Sequence, residues 1–267
     1  MSRFKLVAFD LDGTLIGRDQ TVRPRVLAAI EAMRDRGVIG LVATGRMYRN
    51  AVAFARGLGF TAPVVCYQGA QVVDAGDDTI LREDPLGPAE ARDVLDAAHD
   101  LGAYVQLYRD DRYYCEDEDR FAKIYEDVSR VAPIVVPSLA ETFAGRGSTK
   151  AVLVADPPDA ERFADVLRER LGDRAYVTRS YPEFVEVMNP TVDKGDALRF
   201  VAERLGIAMD EVAAVGDAWN DAPLLRAAGF AIAMGGAPPE LLAEADVVVG
   251  SIADDGAAEA IERYVLA

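Results

Sequence analysis

Asp10 and Asp12 constrain this chain more than any other pair of residues. They follow the apolar run Leu6-Val7-Ala8-Phe9 and precede Gly13-Thr14. A run that is apolar at every position reads as a strand buried on both faces, as in parallel sheets. Residues two apart on a strand share a face. Both carboxylates are therefore directed into one small space at the strand's C-terminal end, the edge where open α/β sheets bind ligands. Carboxylates this close repel, and burying them is costly unless a cation or a proton relieves them. The pattern predicts a Mg²⁺ site in which one acid is an ionised nucleophile and the other moves a proton. An ordinary turn after a strand is the plain alternative. An EF-hand loop is excluded, because the further oxygen ligands and the Glu at its twelfth position are missing.

A length of 267 residues suits one large domain or two modest ones. The net charge of −16 argues against unaided binding of nucleic acid or an anionic membrane. It also makes an anionic substrate a local problem, to be solved by a metal and a few placed cations. No stretch is long enough to span a bilayer. The first strand begins within a few residues of Met1, leaving no room for a signal peptide, so a cytoplasmic location is expected. Cys66 and Cys115 are too few for a disulfide framework and are expected as free, buried thiols. The single histidine, His99, lies in a helical stretch with no nucleophile motif beside it and reads as a surface or capping residue.

Strands at 4–9, 38–43 and 64–67 alternate with helices at 23–36 and from Arg46 to about Arg56, the pattern of a doubly wound parallel sheet. From Asp84 to about Val187 the strands lengthen and alternate in polarity, at 103–108, 112–115, 150–154, 175–179 and 184–187. Helices at 89–100, 119–129 and 159–171 separate them, which suggests an antiparallel sheet covered on one face. Prolines at 85, 88, 182 and 190 mark the borders of this region. From Lys194 the βα alternation resumes. The expected fold is α/β: a doubly wound core over 1–83 and 189–267, with an inserted α+β cap over 84–188.

Three further segments carry chemistry. Thr44-Gly45-Arg46, read at a strand end and helix start, offers a hydroxyl, an amide and a helix N-terminus to an anion, though an ordinary N-cap threonine fits as well. Lys194 is one of four lysines among 29 basic residues. Placed just before a helix, where the dipole favours an anion, it suggests that a point positive charge is wanted there. Gly216-Asp217-Ala218-Trp219-Asn220-Asp221 brings two more carboxylates to a second strand end, with Asn220 able to bond an acid or a phosphoryl oxygen.

Asp10-x-Asp12-Gly-Thr14, Thr44-Gly-Arg46, Lys194 and Gly216-Asp217-x-x-Asn220-Asp221 resemble, in order and spacing, the four motifs of the haloacid dehalogenase-like hydrolases. The insertion between the second and third resembles the C2-type (type IIB) cap of the Cof phosphatases, and the resemblance covers essentially the whole chain. It implies a Mg²⁺-dependent phosphatase of small phosphorylated metabolites, sugar or cofactor phosphates, acting through an aspartyl-phosphate. The implied nucleophile is Asp10 and the general acid–base is Asp12. The implied metal ligands are Asp10, the Asp12 main-chain carbonyl and Asp217, with Asp221 steadying the metal or its water. Phosphate would be bound by Leu11, Thr44, Gly45, Lys194 and Asn220. Arg46, Arg179 and Tyr181 are candidate substrate groups, and no obligate protein partner is expected. A phosphomutase, or a binding module without catalysis, is the alternative. Two departures stand out: Gln68 where many relatives carry Asn, and Ala218, whose side chain donates no hydrogen bond, so that support from that position is expected to be absent.

Overall fold

In the computed structural model of the protein, which describes residues 3–267, five short strands form one parallel sheet. Their order is Val247–Val248, Phe230–Ala233, Val212–Gly216, Leu6–Phe9, Ile39–Val42. Successive residues alternate between two cores. Val7, Phe9, Val42, Val215 and Ile232 pack with Val26, Ile30 and Met33 of helix Pro24–Asp35 and with Ala51 and Ala55 of helix Tyr48–Gly57. Leu6, Ala8, Leu41, Ala214 and Ala231 pack instead with Ala197, Leu198 and Val201 of helix Lys194–Leu205 and with Leu224 and Leu225 of helix Ala222–Ala227. Burial on both faces is why these strands show no polar alternation. Each fully buried Val or Leu contributes about 1.5–3 kcal/mol, which is what holds the layers together. The fold is α/β, with a doubly wound parallel core.

Register places the site. Phe9 lies level with Val42 on one side and with Val215 on the other. Asp10, Thr44 and Asp217 therefore leave three neighbouring strands at a common edge. The third apolar run, Val64–Cys66, joins this sheet through a single bridge between Ala43 and Val65, and pairs antiparallel with Gln71–Val73. The chain reverses between them through Tyr67, Gln68 and Gly69, whose φ angles are 52°, 61° and 105°.

The chain divides into two compact units, one running up to Leu81 and resuming at Asp193, the other Arg82–Val192. The second unit is built on a six-stranded sheet, in the order Tyr176–Tyr181, Phe184–Met188, Ala151–Val154, Tyr104–Arg109, Arg112–Cys115, Ile134–Val135. It is antiparallel except for the last pair. Leu107, Leu153, Val185 and Val187 pack on one face with helices Pro88–Leu101 and Pro157–Leu171. The expectation of a sheet covered on one face holds only in part. Helix Arg120–Ser129 lies on the other, its Tyr125 ring against Tyr108, Tyr113 and Phe184. That second face has a buried polar layer: Lys150 donates to one Glu186 oxygen at 2.8 Å, Ser180 donates to the other, and Gln106 donates to Tyr108.

His99 is exposed in the last turn of its helix, and Cys66 and Cys115 are buried and form no disulfide. Among the described residues no helix is long and apolar enough to cross a membrane.

Candidate active site

Lys194 is the centre of the site. Its side chain is fully buried, and its ammonium donates to Asp10 Oδ1 at 2.5 Å and to Asp221 Oδ1 at 2.6 Å. Its sequence context predicts a position just ahead of a helix. It is in fact the first helical residue, and Asp193 is the N-cap, accepting from the Asp196 amide at 2.7 Å. Asp193 satisfies the helix end, so the ammonium is free to serve the acids. Asp221 uses its other oxygen to accept from the amides of Asp217 and Ala218, at 2.9 and 3.1 Å. This corrects the expectation about Ala218. The position supports the site after all, through its main-chain N–H, which any residue there except proline would supply.

Asp12 points elsewhere. Both of its oxygens accept from Arg46, Nε to Oδ2 at 2.7 Å and Nη2 to Oδ1 at 2.5 Å, a two-pronged pair in which little of either side chain is exposed. Arg46 also donates to Gln20 and lies 5.5 Å from the centre of the Phe54 ring. Its guanidinium thus engages the candidate acid itself. Nothing in the local sequence shows this pairing, because the two residues lie on different loops. The helix after Thr44 begins only at Tyr48, with Met47 as its N-cap. Thr44-Gly45-Arg46 is therefore a loop, not a helix N-terminus, which corrects that reading. Within it Thr44 Oγ1 accepts from the Arg46 amide at 3.2 Å.

Asn220 is buried at the end of the Val212–Gly216 strand, its amide donating to Gln68 Oε1 at 3.0 Å. Leu11 is wholly buried between the two catalytic candidates. Arg179 and Tyr181 belong to the second unit, at the Tyr176–Tyr181 and Phe184–Met188 hairpin. There Arg179 donates to the Pro182 carbonyl at 3.0 Å and Tyr181 lies 5.1 Å from Phe184, ring to ring.

Asp10, Asp217 and Asp221 each offer a carboxylate oxygen within 4.8 Å of the others. One ammonium cannot balance three such groups. Burial first, then the charge of Asp221, raises the Asp10 pKa well above the usual carboxylate value despite Lys194. The same two causes push Asp217 up to about 7, against a hydrogen bond from Thr14 at 3.1 Å. Burial pulls Lys194 down, but Asp10 and Asp221 outweigh it and leave its pKa above the ordinary lysine value. An all-oxygen donor set with unbalanced negative charge fits a hard divalent cation. Gly13 permits the close approach, since a Cβ there would lie 2.1 Å from Asp217 Oδ2.

The raised values have a consequence for stability. Folded Asp217 holds a proton at pH values where the unfolded chain has released it, so its contribution is fully present below the ordinary value of 3.8 and is lost as the pH rises through about 7. In excess chelator, Asp217→Asn should therefore gain melting temperature relative to wild type between pH 5 and 8. A constant difference across that range would contradict the assignment.

A family model for haloacid dehalogenase-like hydrolases matches residues 7–261. The chain is 27% identical over 271 residues to the pyridoxal phosphate phosphatase YbhA of Escherichia coli, covering 98% of this chain and 99% of that one. It is 29% identical over 241 residues to the HMP-PP phosphatase of Klebsiella pneumoniae, covering 90% and 87%. The crystal structure of TM0651 from Thermotoga maritima superposes with a TM-score of 0.81 at 29% identity, over 97% of each chain. With the acid cluster and its buried lysine at the sheet edge, these matches place the protein: it belongs to the haloacid dehalogenase-like hydrolases, as one of their phosphatases.

Proposed function

We propose that the protein hydrolyses small phosphorylated metabolites through a phosphoryl group carried on Asp10. The observation that carries this reading is the buried Lys194, held against Asp10 and Asp221. It fixes one Asp10 oxygen and leaves the other for attack. In the first half-reaction Asp10 attacks phosphorus, the bond from phosphorus to the leaving oxygen breaks, and that oxygen takes a proton from Asp12. In the second, Asp12 takes a proton from water, which attacks phosphorus and frees inorganic phosphate and Asp10. An alkoxide leaves poorly, so the acid contributes roughly 10²–10⁴ in rate.

Arg46 supports the second half, because its two-pronged pairing suits an ionised Asp12. For the first half a proton must take its place. In this reading Arg46 serves Asp12 and not the substrate. Lys194, Thr44, Asn220 and the amides of Leu11 and Gly45 surround the transferring phosphoryl group and hold its charge. When bound, Mg²⁺ held by Asp10, the Asp12 carbonyl and Asp217, with Asp221 steadying them, would add positive charge beside that group. Discrimination among leaving groups is assigned to the inserted unit, with Arg179 and Tyr181 as candidates. The substrates of the two named relatives, pyridoxal phosphate and HMP-PP, make phosphorylated cofactors and their precursors the first class to test, alongside sugar phosphates.

Phosphate release from p-nitrophenyl phosphate and from a panel of phosphorylated metabolites tests the reading. Turnover should require Mg²⁺. Ca²⁺ should bind without supporting it, because its looser, higher coordination lets Asp10 bind through both oxygens and spoils attack. Full activity in excess chelator would sink the metal assignment, and dependence on an added sugar bisphosphate would point to a mutase.

A further inference from the structure

We propose that Gln68 is a positioning residue for the phosphoryl group, acting through Asn220. The inference rests on the phosphate site described above and adds a residue that the four motifs do not contain. Gln68 is buried, and its side chain spans two parts of that site. Its Oε1 accepts from Asn220 Nδ2 at 3.0 Å. Its amide nitrogen lies so close to Gly45 that a Cβ there would sit 2.3 Å away. Asn220 is 6% exposed, and its Oδ1 has no hydrogen-bond partner in the structure. Gln68 is thus what fixes which way the Asn220 amide faces. One N–H is spent on Gln68 and the second remains for an anion.

The backbone around Gln68 is built for this contact. Tyr67 and Gln68 both take left-handed φ angles, 52° and 61°, which non-glycine residues adopt at a cost. Two hydrogen bonds hold the turn against the Thr44 loop, from the Tyr67 amide to the Arg46 carbonyl at 3.0 Å and from the Gln68 amide to the Thr44 carbonyl at 3.1 Å. Gly69 presses on the other side, where a Cβ would lie 2.3 Å from the Asp193 carbonyl oxygen. The strained turn therefore touches the Thr44 loop, the Lys194 helix and Asn220 at once. A residue needed only to fill space would not require three elements to hold it in a disfavoured conformation.

Because the Asn220 amide meets phosphate before and after bond cleavage, Gln68 should affect binding more than chemistry. In Gln68→Met, which keeps the length and removes the amide, KM and the inhibition constant for inorganic phosphate should both rise roughly tenfold. kcat should stay within about threefold. Asn220→Ala should weaken phosphate by a similar or larger factor, and adding Gln68→Met to it should change little further, since the two act as one unit. Gln68→Asn tolerates the left-handed backbone better but draws the amide back by one carbon, so it separates reach from folding. It too should weaken phosphate. An unchanged phosphate constant in either Gln68 variant, or full additivity with Asn220→Ala, would overturn the proposal. If instead Asn220→Ala leaves phosphate binding unchanged, it is the underlying phosphate site that fails.

Discussion

Asp10→Asn should lower turnover of any accepted phosphate ester by at least roughly 10⁴-fold, since loss of a covalent nucleophile alone costs on the order of 10⁶ in a well-studied hydrolase. The amide has nearly the same shape but is neither charged nor nucleophilic. The fold should persist, and metal-free stability should hold or rise. Burial and the neighbouring acids already make an ionised Asp10 unfavourable, so removing its charge relieves repulsion. Lys194 keeps Asp221 as a partner at 2.6 Å. The measurements are single-turnover phosphate release and a melting curve in chelator. Retention of more than a trace of activity, with deamidation excluded by mass spectrometry, would falsify the assignment of Asp10.

Lys194→Met should do the opposite to stability. The ammonium is the charge partner of both Asp10 and Asp221, and its side chain is wholly buried. Removing one member of such a cluster leaves the others uncompensated, at a cost of about 3–5 kcal/mol. At roughly 2–4 °C per kcal/mol for a chain of this size, the metal-free melting temperature should fall by roughly 6–20 °C. The loss should shrink at pH 5, where Asp217, pushed up to about 7, takes up a proton, and again when Mg²⁺ is added. Catalysis should fall as well, because the phosphoryl group loses its fixed cation. A metal-free melting temperature equal to wild type at pH 8 would show that Lys194 does not balance these acids.

The two predictions differ in sign because the two residues carry opposite charges in the same buried cluster. Without the metal the site has too much negative charge. Taking away an acid helps the empty fold, and taking away the lysine harms it.

Much of the arrangement was legible in the chain because it depends on local spacing. The apolar runs Leu6–Phe9 and Val212–Gly216 show no alternation since both faces of their sheet are buried. Val26, Ala29, Ile30 and Met33 mark the inward side of the first helix by their period. Acids placed directly after such strands must emerge at one sheet edge, whatever the rest of the chain does. What the tertiary structure alone decided is the partner of each long or flexible side chain. Asp12 could have turned to a metal or a substrate, but Arg46, 34 residues away, takes both its oxygens. The Ala218 amide counts because Asp221 folds back to reach it. Gln68 meets Asn220 across 152 residues of chain. Periodicity fixes where a Cα lies on an element and which face it presents. Where a side chain ends depends on several rotatable bonds, and those are settled by neighbours that only the folded chain brings within reach.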